Sequence, residues 1–298
     1  MRGLNATDRL LGGYAIAVAA LVASVGGLGA LIVGVAALVG IAARGEPPHL
    51  RLAVLHLAIA GLAVALAGLD ARTHRKGWRW LHRWLPVIAL PWLYDAAGRL
   101  RHLVVAQDLD AWIVRADDAL FPGHWYLFGA TWPLPAIELA HAVYFSYYLL
   151  LFVPALVAER RRRGAVDGYL FALTATLLAH YALNFLLPVA GPLAERARTM
   201  PEGALFLPLM NALYAAFDRG GLAFPSTHVA ASVVAGWFAG GRFFPNAARR
   251  YLLWVAAIAI STVVCGYHYP LDVVAGLLTG GIGVAIARRL ERAAPDAS

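Results

Sequence analysis

The sequence predicts an all-α, polytopic membrane helix bundle with about eight transmembrane helices. Three observations predict it. Of 298 residues, 61% are hydrophobic and only 14% charged, with a mean hydropathy of +0.66, which is too apolar for a soluble domain. The apolar residues come in runs near the roughly 20 residues that a bilayer crossing needs. The 25 Lys and Arg residues cluster between those runs, as they do in the loops of membrane proteins. The net charge of +8 is therefore read as a topology signal, and no nucleic-acid partner is expected. Cys265 is the one cysteine, which excludes an intrachain disulfide.

Taken in order, residues 10–43 form one long apolar run after Arg2 and Arg9. It is too long for a signal-peptide core and has no clear cleavage site, so it is read as an uncleaved first helix. Gly26, Gly27, Gly29 and Gly34 suit close helix packing there. After a turn at 44–48, residues 50–69 cross again. Residues 70–84 are basic and aromatic, as expected of a segment on the cytoplasmic membrane surface. A third span, 85–105, is interrupted at Pro91 and carries Asp95, Arg99, Arg101 and His102 toward its end. Residues 107–130 hold four aspartates and several aromatics, and are expected as a helix or loop at the outer interface. The span 132–158 carries Glu138, His141, Tyr144, Tyr147 and Tyr148 at helical spacings. A basic stop at 160–163 separates it from the span 166–187, with His180 and Asn184 near its far end. Residues 189–224 make a long excursion bearing Glu195, Arg196, Arg198 and Asp218. A two-span hairpin then turns at a basic loop, residues 240–250, and the last span, 271–287, ends in Arg288 and Arg289.

Eight crossings with the N-terminus inside put every dense basic cluster on one face: 72–83, 160–163, 242–250 and 288–292. The aspartate-rich segment and the long excursion fall on the other. The reading that follows is an integral protein of the plasma (inner) membrane with both termini cytoplasmic. Residues 1–84 are read as an N-terminal two-helix extension with its basic loop, and residues 85–298 as a catalytic membrane domain.

Two stretches carry the chemistry. One is Ala223-Phe-Pro-Ser-Thr-His228 and the other Ser261-Thr-Val-Val-Cys-Gly-Tyr-His268-Tyr-Pro-Leu-Asp272. They lie about forty residues apart, the length of one membrane hairpin, so His228 and His268 return to the same face, the extracytoplasmic one. Pro225 and Ser226 open a helix with Ser226 as N-cap, whose unpaired N–H groups form an anion cradle. Thr227 adds a hydroxyl. Pro270 suits the first position of the next helix. Asp272, four residues after His268, reaches back to fix its tautomer and leaves the other ring nitrogen free to attack. This set suits phosphoryl transfer through a phosphohistidine on His268, with His228 as the acid–base partner.

These residues resemble the motifs of the type 2 phosphatidic acid phosphatase (PAP2) superfamily, Pro-Ser-Gly-His and Ser-Arg-x5-His-x3-Asp. Pro225-Ser226-Thr227-His228 matches the first with Thr in place of Gly. Ser261-Thr262, His268 and Asp272 match the second, with Thr262 where the family usually has Arg. The Lys-x6-Arg-Pro motif is absent. Together with Asn184-Phe-Leu-Leu-Pro-Val-Ala-Gly-Pro192, these departures resemble the branch of inositol phosphorylceramide synthase. The resemblance, over about residues 85–290, implies a six-helix core, a lipid phosphoester donor, an alcohol or water acceptor, and no cofactor.

Two of the family's phosphate-binding cations have no counterpart at their motif positions. Arg99, Arg101, Arg196 and Arg198 are the candidates to replace them, each also readable as an interfacial arginine meeting lipid headgroups. Ser261 either touches the phosphate or bonds its own helix backbone. Tyr144, His141 and Tyr147 either line a substrate cavity or satisfy hydrogen bonds inside the bundle. Two histidines and a carboxylate also make a facial metal set, but Ser226 and Thr227 suit an anion better, so no metal is expected. A plain lipid phosphate phosphatase and an inactive or transporter-like scaffold are the alternatives. Ionisable residues are expensive to keep at membrane depth without a use, which disfavours the scaffold.

Overall fold

The computed structural model describes residues 48–102, 104–161, 165–217, 220 and 222–293. The expected first span at 10–43 lies outside them. The chain divides into two compact units, one reaching to Ala96 and one running from Ala97. Each is described by itself.

In the first unit, α1 (Pro48–Thr73) and α2 (Lys76–Leu100, continuing into the second unit) meet at a turn where His74 takes a positive φ of 49°. Asp70 ties this turn, accepting from Arg79 Nε at 3.4 Å and His82 Nδ1 at 3.2 Å. Ala63 and Leu66 pack on Leu85. Residues 70–84, expected to lie on the membrane surface, are therefore the end of α1, a turn and the start of α2. α2 runs through both Pro86 and Pro91, so the interruption expected at Pro91 does not end the helix.

The second unit holds α3 (Asp110–Leu120), a 3₁₀ turn (Trp125–Thr131), α4 (Leu134–Arg161), α5 (Asp167–Leu186), α6 (Leu193–Thr199), α7 (Phe206–Phe217), α8 (Thr227–Phe238), α9 (Ala248–Val264) and α10 (Pro270–Ala293). Among the described residues there is no β-strand. A single parallel bridge joins Val189 to Leu222 and closes the excursion between α5 and α8. Helix suits a bilayer because it satisfies every backbone polar group within one segment.

Among the described residues, five stretches are long and apolar enough to cross a membrane: Val54–Thr73, Leu134–Arg161, Asp167–Leu186, Pro245–Val264 and Pro270–Arg289. Two of the expected crossings fall short of that standard. α2 takes in the basic residues of its first turns. α8 is only 12 residues long and passes at Ala239–Phe243 into a π-helical turn, where Gly240 and Gly241 loosen the ladder.

α8 is the central element, packed on α4, α5, α9 and α10, and every residue from Ser226 to Ser232 is buried. Its approach to α10 depends on a small-residue stripe. A Cβ on Gly276 would sit 2.7 Å from the Ser226 carbonyl oxygen, and one on Gly280 2.8 Å from that of Ala230. α7 owes its start to α4. Glu138 accepts the N–H groups of Ala204 at 2.5 Å, Leu205 at 3.1 Å and Phe206 at 2.7 Å. One carboxylate thus covers the otherwise unpaired donors of a helix N-terminus.

Candidate active site

The two motif stretches come together where α8 and α10 begin. Ser226 is the N-cap of α8, its Oγ accepting the Val229 N–H at 3.3 Å. Its own N–H donates to the Asp272 carbonyl at 3.0 Å. A backbone bond therefore fixes the first motif to the second. Thr227 follows in the first turn of α8, buried.

The second motif is shaped by how α9 ends. Gly266 takes a φ of +70°, Tyr267 N bonds Thr262 O at 3.0 Å, and Gly266 N bonds Val263 O at 2.8 Å. This is a Schellman closure, which needs a left-handed residue at that position. It reverses the chain so that His268 falls beside the start of α10. There Asp272 Oδ2 meets His268 Nδ1 at 3.3 Å and accepts the Tyr269 N–H at 2.9 Å. A carboxylate facing Nδ1 assigns the ring proton to that nitrogen and leaves Nε2 with its lone pair.

His268 Nε2 is buried and, among the described residues, has no hydrogen-bond partner. The ring faces His228, with centroids 5.8 Å apart and planes at 62°. His228 Nδ1 is likewise buried without a partner. Tyr147 and Tyr144 wall this ring, at centroid distances of 4.7 Å and 5.1 Å. The arrangement offers a fixed nucleophilic nitrogen, a second imidazole facing it, and a capped helix N-terminus at hand. Those are the parts a phosphoryl-transfer site needs.

Of the expected cations, Arg196 is the one built into this layer. Its Nε donates to Cys265 O at 2.8 Å, Nη1 to Asn211 Oδ1 at 2.9 Å, and Nη2 to Tyr267 Oη at 2.7 Å and His141 Nε2 at 3.1 Å. The guanidinium also lies 4.2 Å over the Tyr267 ring, and Gly266 leaves room for its side chain. Every one of these acceptors is neutral. Among the described residues no carboxylate pairs with this buried charge. His141 accepts because its Nδ1–H is committed to Ile137 O at 2.7 Å.

The other candidates lie differently. Arg198 is exposed and paired with Glu195 at 3.0 Å, Arg101 pairs with Asp108 at 3.1 Å, and Arg99 is exposed near the end of α2. Ser261 Oγ donates to Ile258 O at 2.7 Å. Thr262 does the same toward Ala259 O at 2.7 Å. Tyr144 shares a hydroxyl–hydroxyl bond of 2.5 Å with Tyr214 of α7 and stacks on Tyr267 at 4.7 Å. Among the described residues, no group of three or more His, Cys, Asp or Glu side chains is arranged to hold a metal ion.

Sequence reasoning missed two aspartates of α3. Asp110 accepts the N–H groups of Ala190 at 2.8 Å and Gly191 at 2.9 Å. Asp117 accepts that of Leu271 at 2.7 Å, beside Asp272. Burial pushes both carboxyls up from the ordinary aspartate value, against backbone N–H groups that pull down. Their spacing of seven, two turns on one helix face, is the signal that was available.

Residues 111–286, more than half of the chain, match the family model of the PAP2 superfamily. No curated protein and no solved structure matches the chain.

Proposed function

The chain belongs to the PAP2 superfamily, and we propose that it is an integral-membrane enzyme of lipid metabolism that cleaves a lipid phosphoester through a phosphohistidine. His268 Nε2 attacks phosphorus and the lipid alcohol leaves with a proton from His228. An alcohol or water, deprotonated by His228, then takes the phospho group from His268. One imidazole can serve both proton transfers because it gives a proton in the first step and takes one back in the second. The observation that carries this reading is the His268 ring, held by Asp272 at Nδ1 and presenting a buried, unpartnered Nε2 to His228.

Arg196 supports the identity of the group bound. A buried cation surrounded only by neutral acceptors costs several kcal/mol unless an anion comes near it. A single cation suits a phosphodiester, which carries one charge fewer than a monoester. That leans toward transfer to an alcohol, as in the inositol phosphorylceramide synthase-like branch, over phosphate release by a plain phosphatase. The same reading keeps eight crossings, a six-helix core, and a site on the extracytoplasmic face of the inner membrane.

The test is a trap. Purified protein mixed briefly with a phosphorus-labelled lipid phosphoester and quenched in alkali should carry acid-labile label. His268→Ala should carry none and turn over nothing, and Asp272→Asn should be slower by roughly 10²–10⁴-fold. A fully active His268→Ala protein overturns the assignment. Supplying a polyol acceptor then separates the two outcomes: a new phosphodiester means transfer, free headgroup phosphate means hydrolysis.

A further inference from the structure

His268 and Asp272 do not hold themselves in place. Asp272 stands in the first turn of α10, and a helix start is free to fray or tilt unless something outside it fixes the unpaired N–H groups. Leu271 supplies such an N–H, between Pro270, which has none, and Asp272, whose N–H bonds Tyr269 O at 3.0 Å. Its partner is Asp117, 154 residues away in sequence and itself buried. Two turns earlier on the same face of α3, Asp110 grips Ala190 and Gly191, one N–H to each carboxylate oxygen. The Tyr269 hydroxyl reaches Asp110 Oδ1 at 3.5 Å. The grip on Ala190 and Gly191 extends to the first motif, because Val189 O accepts the Ala223 N–H at 3.0 Å, three residues before Ser226.

We infer that Asp110 and Asp117 are positioning residues for the reaction proposed above. Together they make α3 an external splint that sets His268 against His228. Neither touches a reacting atom. Asp117 fixes the residue next to Asp272, and so the angle at which the carboxylate meets His268 Nδ1. Asp110 fixes the strand-like entry to the Ser226 cap. A misplacement of about 1 Å in such a site costs on the order of 10²-fold in rate, so the splint acts on turnover with little change in how the lipid binds.

The two carboxylates differ in what they need, and that difference is the test. Asp117 uses one oxygen on one N–H, which an asparagine oxygen reproduces. Asp110 uses both oxygens on two N–H groups, and an asparagine would turn an amide N–H toward one of them. Asp117→Ala should lower kcat roughly 10- to 100-fold with KM nearly unchanged, and Asp117→Asn should recover most of it. Asp110→Asn should not recover.

Histidine-selective nitrogen-15 labelling of detergent-solubilised protein reads the geometry directly. The His268 ring-nitrogen signals, assigned by their loss in His268→Ala, should shift in Asp117→Ala and return in Asp117→Asn. Unmoved ring signals, or a normal kcat per folded molecule in Asp117→Ala, overturn the positioning role. So do equal effects of the two asparagine substitutions, which decide the matter even where Asp117→Ala fails to fold. A wild-type protein that turns over no lipid phosphoester sinks the proposed reaction instead, and the ring signals still judge the splint.

Discussion

At the scale of the residue, the division of labour between the two histidines follows from what each ring nitrogen meets. His268 has a carboxylate at Nδ1, which orients it and would favour positive charge on the ring in the proposed phosphohistidine. His228 has aromatic walls from Tyr144 and Tyr147 and faces the His268 ring, which is where the proposed proton donor and acceptor must stand. General acid–base help is worth roughly 10²–10⁴-fold, so His228→Ala should slow natural turnover by about that factor. A nitrophenyl phosphoester has a leaving group that departs with little protonation. Its first-step burst of nitrophenol should therefore survive His228→Ala far better than natural-substrate turnover does. Stopped-flow absorbance measures that burst, and equal loss of both activities would assign His228 to phosphate binding or to the fold.

At the scale of the element, the site is the meeting of two helix starts, and the closeness of α8 to α10 sets its dimensions. A methyl group on Gly276 would lie 2.7 Å from backbone oxygen and 3.0 Å from Val229 Cβ, whereas one on Gly281 would meet nothing within 4 Å. Gly276→Ala should therefore push α8 off α10, cost about 1–3 kcal/mol of stability as overpacking does, and remove most activity. Gly281→Ala should leave both near wild type, and thermal unfolding with an activity assay compares the pair. The Ser226 cap and the His268–Asp272 contact were legible in the sequence because each is local, set within four residues by helix geometry. The grips of Asp110, Asp117 and Glu138 were not. They bind backbone N–H groups, which every residue but proline presents, and their partners stand 80, 154 and 66 residues away. Arg196 was legible as a candidate cation, but its attachment to Cys265 and Tyr267 depends on the turn that α9 makes. The π-helical turn after α8 was not anticipated for another reason, and α2 runs unbroken through Pro91, where an interruption was expected. Hydropathy counts apolar residues and does not register where a helix starts or breaks.

At the scale of the molecule, helix direction and charge put the two motif histidines and the arginine clusters at opposite ends of the bundle, which is what supports the proposed topology. α9 begins with Arg249 and Arg250 and ends at Val264, three residues before Tyr267. α10 begins at Pro270, just after His268, and carries Arg288 and Arg289 near its far end. His268 thus sits at one end of both helices and the arginines at the other. A 17-residue α9 at about 1.5 Å per residue separates them by roughly 25 Å, most of a hydrocarbon core. Arg160 and Arg161 end α4, whose opposite end is tied to α7 through Glu138, so the same polarity holds there. The proposed topology follows the positive-inside rule, with the arginine ends in the cytoplasm and the histidines facing out. Cysteines at Thr199 and Glu202, both exposed, should label in intact cells with a membrane-impermeant thiol reagent. One at Arg249 should label only after permeabilisation. Cys265 is fully buried and adds little background. Labelling at Arg249 with none at Thr199 would turn the protein over, place His268 in the cytoplasm, and require its donor and acceptor from the inner leaflet and cytosol.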